Sequence, residues 1–170
     1  MKRTLALVAV VTLLAAAPAF CNWRFDLGID GIFGLGAISD EGADSMDFGD
    51  LNFFTLPMGE ASYEWELGPV GVGVGVRGIT LLIVNVLWPD VYAELELGPA
   101  AIEAHIGGLA FVGIGFASFA ETGQVFIPEL SAWFKLGKRF RLGGGGLGIY
   151  VPDFDGMVFV YYLGCKWVLP

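Results

Sequence analysis

The segment Glu64–Gly78 reads EWELGPVGVGVGVRG, and its apolar residues recur at every second position. Val70, Val72, Val74 and Val76 lie on one face of an extended chain, and Gly71, Gly73, Gly75 and Arg77 on the other. That is the period of a β-strand, not the 3.6 of a helix. Leu67-Gly68-Pro69 marks a tight turn ahead of it, because Gly admits positive φ and Pro breaks a strand. Before the turn, Tyr63, Trp65 and Leu67 alternate with Glu60, Ser62, Glu64 and Glu66. Two successive strands thus each carry one apolar face and one charged or glycine face.

The same alternation predicts eight strands. The first starts at Asn22 and runs about a dozen residues, a length suited to a tilted membrane strand. It sets Trp23, Phe25, Leu27, Ile29, Phe33 and Leu35 against Arg24, Asp26 and Asp30. Ser39–Asp50 is a long acidic loop. The second strand spans Phe53–Leu67, with a bend at Pro57 and Gly59, and the third spans Val70–Thr80. Leu81–Pro89 fits an extension of the third strand, an apolar loop or a short helix. The fourth strand is Val91–Leu97, and Leu97-Gly98-Pro99 repeats the turn. The fifth, Ala100–Ile114, sets Ile102, Ala104, Ile106 and Val112 against Glu103, His105 and Gly107. After a loop at Gly115–Gly123, the sixth, Gln124–Leu136, opposes Phe126, Leu130, Ala132, Phe134 and Leu136 to Glu129, Ser131, Trp133 and Lys135. Gly137-Lys138 is the next turn. The seventh strand is Arg139–Tyr150, then comes a short acidic loop, Val151–Gly156. The eighth, Met157–Leu169, puts Phe159, Tyr161, Leu163 and Trp167 on one parity.

Short glycine turns join strands two to three, four to five and six to seven, so they share one rim. Longer or more acidic connections fall on the other. This predicts an all-β, eight-stranded antiparallel up-and-down transmembrane β-barrel, since strands cross a bilayer only when closure pairs every backbone polar group. A soluble lipocalin-like ligand-binding barrel has the same alternation inside out. Three features favour the membrane. The 170 residues are 55% hydrophobic and only 16% charged, against about 25% charged in ordinary soluble domains. Trp23, Tyr63, Trp65, Phe134 and Trp167 gather near the short-turn rim, as in an interfacial girdle. The charged face is also too sparse for a soluble surface.

With the apolar face on lipid, a lumen charge network is expected from Arg24, Asp26, Asp30, Glu64, Glu66, Arg77, Glu94, Glu96, Glu103, His105, Glu129, Lys135, Arg139, Arg141 and Lys166. Acids dominate strands two, four and five, and bases strands six, seven, eight and one. Buried charges left unpaired cost several kcal/mol each, so pairing across the narrow lumen follows. The glycines opposite Val70–Val76 leave room for long side chains.

The first nineteen residues read as a cleaved secretory signal peptide, with the barrel occupying 20–170. Lys2 and Arg3 precede an apolar run, and Ala17-Pro18-Ala19 fits the cleavage pattern. Cys21 follows Phe20, where a lipidation signal wants a small residue. A net charge of −9 argues against nucleic acid as a partner. One His and two Cys leave little for a metal site, and no metal, cofactor or catalytic residue is expected.

The chain resembles the small bacterial eight-stranded outer-membrane proteins of the OmpA, OmpX and OmpW kind. The resemblance covers the mature chain as architecture, and its most specific part is the end. Gly164-Cys165-Lys166-Trp167-Val168-Leu169 is similar to the C-terminal assembly signal of that group. It departs from that signal at Leu163, where a polar residue is usual, and at Leu169-Pro170, where an aromatic is usual. The resemblance implies a Gram-negative cell envelope, location in the bacterial outer membrane, and contact with lipid, lipopolysaccharide and the assembly machinery. It also implies a monomer.

Three groups of residues invite a chemical reading. Glu103 and His105 share a strand face, and with Ser131 they form a hydrolase trio on paper, but an interior charge network explains them better. Asp40, Glu41, Asp44, Asp47 and Asp50 lack the EF-hand spacing and read as a solvated acidic loop. Cys21 and Cys165 are of outward parity on neighbouring first and last strands, so a disulfide across the seam is a candidate in an oxidising compartment. The expected role is a non-enzymatic structural or surface-interaction protein acting through acidic outer loops. A narrow porin-like channel for small or hydrophobic molecules and a lipid-modifying enzyme are the alternatives. The channel is favoured if Leu81–Trp88 and Gly113–Phe119 form an apolar funnel.

Overall fold

The structure is a computed structural model, described here for residues 21–39, 42–44, 54–81, 84–114, 118–121, 125–152 and 156–170. The signal-peptide segment and most of the acidic loop after Ser39 lie outside those residues.

The chain forms β1 (Cys21–Ser39), β2 (Gly42–Asp44), β3 (Phe54–Leu67), β4 (Val70–Leu81), β5 (Val84–Leu97), β6 (Ala100–Gly108), β7 (Phe111–Ile114), β8 (Ser118–Glu121), β9 (Phe126–Leu136), β10 (Phe140–Val151) and β11 (Gly156–Leu169). Each wall strand pairs antiparallel with its sequence neighbours, β1 pairs with β11, and the ladder closes. With β6 and β7 counted as one interrupted stave, eight staves make an up-and-down barrel. β2 and β8 are short outer strands folded back on β1 and β7.

Glycine sets the short-turn rim. Gly68, Gly98 and Gly137 have φ of 70°, 66° and 87°, which L side chains rarely adopt. The period of two then fixes the faces, and they are opposite to those of a soluble barrel. Phe25, Leu27, Ile29, Val76, Ile106, Leu130 and Leu163 are exposed on the outside. Arg24, Asp26, Arg77, Glu94, Glu103 and Glu129 are buried within. A continuous apolar exterior over a charged interior suits hydrocarbon as solvent, so the lipocalin-like alternative falls. Trp23, Phe134 and Trp167 are 60%, 57% and 50% exposed near the turn rim. Trp23 packs edge-on to Tyr63 at 5.4 Å, and Tyr63 to Trp65 at 5.6 Å.

Several expectations need correction. The ambiguous run Leu81–Pro89 is mostly strand: β5 begins at Val84, and only residues 82–83 separate it from β4. That connection is therefore short, although it sits on the rim assigned to long loops. β1 runs to Ser39 and carries a bulge, because its register against β11 shifts between Ile32 and Gly34. One extra residue flips the alternation, so Leu35 pairs with inward-facing Val160 and leaves the outer face. The fifth strand is interrupted at Leu109, whose φ is 55°. Ser118–Glu121, expected in a loop, pairs with β7.

The disulfide is also excluded by register. Cys165 stands opposite Ile29, eight residues along β1 from Cys21. At roughly 3.3 Å per residue this is about 26 Å, far beyond the 7 Å or so a disulfide spans. Cys165 is a free thiol.

Candidate functional site: the lumen

Inward positions of the staves stack into layers, because paired residues across an antiparallel ladder share a face. From the short-turn rim inward come a vestibule, a first ionic layer, a second centred on His105, and an apolar plug.

The vestibule has a volume of about 410 Å³ and is lined by Glu66, Glu96, Lys138, Arg139 and Arg141 among others. Glu66, Glu96 and Arg139 are exposed, so these members of the expected network belong to the rim. Parity gave them the inward face, but each lies within two residues of a turn. Lys135 is only partly buried and pairs with Glu96.

The first ionic layer is continuous. The Arg24 guanidinium donates to Asp26 at 2.9 Å and to Glu94 at 2.5 Å, and reaches Glu103 at 3.2 Å and Glu64 at 3.3 Å. Lys166 Nζ donates to Glu103 at 2.5 Å and stands 2.9 Å from Asp26. Arg141 Nη1 is 2.8 Å from both Glu94 and Glu103. Glu103, 1% exposed, thus gathers three cations. Tyr92 and Trp133 complete the layer. Arg24 lies 5.3 Å from the Tyr92 ring centroid and Lys166 4.8 Å from that of Trp133, both cation–π distances. Two glycines make this packing fit. A Cβ at Gly71 would stand 2.2 Å from Glu64 Oε1, and one at Gly73 would stand 2.3 Å from the Tyr92 ring.

The second layer holds Arg77 in a fork on Glu129, with Nη1–Oε2 at 2.8 Å and Nη2–Oε1 at 2.9 Å. The Tyr162 hydroxyl also donates to Glu129. His105 stacks on Tyr92 with centroids 5.2 Å apart. Its Nδ1 is 2.7 Å from Asp90 Oδ2, and its Nε2 is 3.5 Å from Glu103 Oε2, which links the two layers. Asp30 is buried beside Gly164, where a Cβ would meet its Oδ1 at 2.1 Å.

Glu60 and Asp90 are buried here too, and the expected network lacked them. Glu60 shares the parity of Ser62 and Glu64, so the signal was present. Asp90 adjoined the ambiguous run before Val91, and its face follows only once β5 is seen to begin at Val84.

Beyond the ionic layers, Trp88, Ala110, Ile127 and Leu147 pack together with Trp133 and Tyr162 of those layers, joined by Ile79, Val86, Val125, Ile149 and Val160. Of these, the sequence alternation sets Trp133 on the inward face with Glu129 and Ser131 and names none of the others there. Most of them keep the inward parity of their own strands, Trp88 with Asp90, Ile127 with Glu129 and Tyr162 with Lys166, and the break at Leu109 adds Ala110. Of the expected funnel, Val86 and Trp88 pack into this cluster; residues 82–83 and 115–117 lie outside the described residues.

The hydrolase trio is not assembled as a working site. Glu103, His105 and Ser131 are all buried, and the Ser131 hydroxyl accepts a 2.9 Å hydrogen bond from Trp133 Nε1. The acidic-loop residues Asp40, Glu41, Asp47 and Asp50 lie outside the described residues.

No protein-family model matches the chain, and no curated protein matches it. Solved structures do. Neisserial surface protein A is 11% identical over 86% of this chain and 97% of its own, with a TM-score of 0.49. The N-terminal β-barrel domain of Pseudomonas aeruginosa OprF is 11% identical over 85% and 97%, with a TM-score of 0.43. Ail, the attachment invasion locus protein of Yersinia pestis, is 12% identical over 88% and 99%, with a TM-score of 0.41. By its own strand order and inverted faces, the chain is a closed eight-stranded antiparallel β-barrel of transmembrane type, and it is similar to small outer-membrane barrels.

Proposed function

We propose that this protein is a closed, non-enzymatic barrel of a bacterial outer membrane, with a structural or surface-interaction role exercised through its outer hairpins. One observation carries the reading. Among the described residues, the lumen is filled across its section by the ion-paired layers and again by the plug around Trp88. A lumen of salt bridges and packed aromatics stabilises a wall; it does not turn over substrate. The outer strands β2 and β8 fold back on β1 and β7 at the rim opposite the glycine turns. A surface partner, lipopolysaccharide included, would be met there. The signal-like first nineteen residues and the C-terminal Gly164–Leu169 pattern support export and recognition by the outer-membrane assembly machinery.

The experiment is single-channel recording of the refolded chain in planar bilayers, beside a gel assay of heat-modifiability. The expected result is a compact band that shifts on boiling and a bilayer that stays silent. Reproducible unitary conductance from the wild-type chain would reverse the reading in favour of a narrow channel.

A further inference from the structure

His105 is the hub of the second ionic layer, and its two nitrogens face different surroundings. Nδ1 is directed at two carboxylates, Asp90 Oδ2 at 2.7 Å and Glu60 Oε2 at 4.0 Å. Nε2 faces a third, Glu103 Oε2, at 3.5 Å. Glu60, Asp90 and His105 come from β3, β5 and β6, and each offers one donor atom within 4.8 Å of the others. Donors around tetrahedral zinc stand about 3.3 Å apart, given bonds of about 2.0–2.2 Å. Side-chain shifts of about 1 Å would bring the three into that spacing. A ligating imidazole commonly holds its second nitrogen on a carboxylate, as Nε2 stands toward Glu103.

Two further observations point to a missing cation. Asp90 is 3% exposed, yet its Oδ1 has no hydrogen-bond partner. Among the described residues, seven carboxylates are fully buried in the lumen: Asp26, Asp30, Glu60, Asp90, Glu94, Glu103 and Glu129. Against them stand Arg24, Arg77, Arg141, Lys166 and the single His105. The surplus of negative charge is concentrated in the second layer, where Arg77 is already engaged by Glu129.

We propose that Glu60, Asp90 and His105 bind one divalent cation of the zinc class inside the barrel. His105 Nδ1 and one oxygen of each carboxylate are the ligands. Water fills the fourth position, and Glu103 accepts the hydrogen bond of Nε2–H. Nδ1 binds the cation only as a bare nitrogen, so any proton on it leaves as the cation enters. A mixed imidazole and carboxylate donor set suits zinc better than calcium. The sequence, with one His and two Cys, shows no clustered ligands. Here the ligands are 30 and 15 residues apart and meet only through strand register.

The test uses the mature chain refolded in detergent micelles with ¹⁵N-labelled histidine. The sequence holds one His, so its two nitrogen resonances belong to His105. Zn²⁺ alone is added, before refolding in one sample and after it in another. The expected result is one equivalent of zinc retained through dialysis, Nδ1 moved to a metal-bound position, and Nε2 still protonated. Glu60→Gln and Asp90→Asn should each weaken retention at least tenfold, whereas Ca²⁺ should leave the spectrum unmoved. An imidazolium with both nitrogens protonated and unchanged by excess Zn²⁺ overturns the proposal. So does zinc retained with the His105 resonances unmoved, which would assign the metal to acids elsewhere. If the variants do not fold, the wild-type spectrum decides alone.

Discussion

Arg24→Met is the most informative single perturbation of the barrel. The guanidinium is 6% exposed and bridges Asp26, Glu94, Glu103 and Glu64 within 3.3 Å. Methionine keeps much of the volume and removes the charge. Lys166 would still hold Asp26 and Glu103, and Arg141 would still hold Glu94 and Glu103. Glu64 alone would lose the one cation the structure places beside it. Breaking a buried ion pair by removing one partner costs about 3–5 kcal/mol, because the other charge stays buried. The redundancy of Lys166 and Arg141 sets the expectation at the lower end, about 3 kcal/mol, or roughly a hundredfold in the folding equilibrium. Equilibrium urea unfolding in lipid vesicles, followed by tryptophan fluorescence and by the compact gel band, measures it. The double variant Arg24→Met with Glu64→Gln removes the stranded charge and should recover more than half of the loss. A single variant within about 0.5 kcal/mol of wild type would refute the buried network as a source of stability. A double variant no better than the single would refute the account of Glu64.

Two further outcomes follow from register and face. Mature protein exposed to mild oxidant should keep both thiols unpaired within one chain, read as an unchanged intact mass and full alkylation after denaturation; a loss of two hydrogens per monomer would contradict the register of β1 against β11. Leu163→Arg, on a side chain 60% exposed towards lipid and paired between Gly31 and Gly144, should cost about 2–4 kcal/mol if it lies near the bilayer midplane. The same unfolding assay reads it, and a neutral result would place that face out of the membrane.

Much of this architecture is legible because a strand has only two faces. The alternation at Tyr63–Leu67 and Val70–Val76 sets lumen against lipid, and the glycines at 68, 98 and 137 set the turn rim. Depth is not legible in the same way. Glu66, Glu96 and Arg139 carry the parity of Glu64, Glu94 and Arg141, yet they are exposed at the rim because they sit next to turns. Bulges are the second blind spot. One extra residue at Phe33 reverses every later face on β1, and no composition signal announces it. The Cys21–Cys165 pairing failed for a related reason. Adjacency of first and last strands follows from closure, but their stagger does not, and eight residues of stagger separate the two cysteines.

The layered lumen leads to a last prediction about closure. Ionic layers and apolar plug lie in series, so either one alone should block the lumen. Glu103→Ala removes the carboxylate shared by Arg24, Arg141 and Lys166, but the packed side chains around Trp88 remain. Trp88→Ala opens space above Gly107, where a Cβ would stand 2.3 Å from the indole, but it leaves the ion pairs intact. Each single variant should therefore stay silent in a planar bilayer while its unfolding midpoint falls. The combined Trp88→Ala and Glu103→Ala variant should show small, cation-preferring openings, because Asp26, Asp30, Glu60 and Glu94 then line a wetted path. Conductance from Glu103→Ala alone would mean that the plug does not seal and that the charged layer is the gate. A double variant that folds and remains silent would mean that the walls collapse onto the vacated space, and closure would then be a property of barrel width rather than of these side chains.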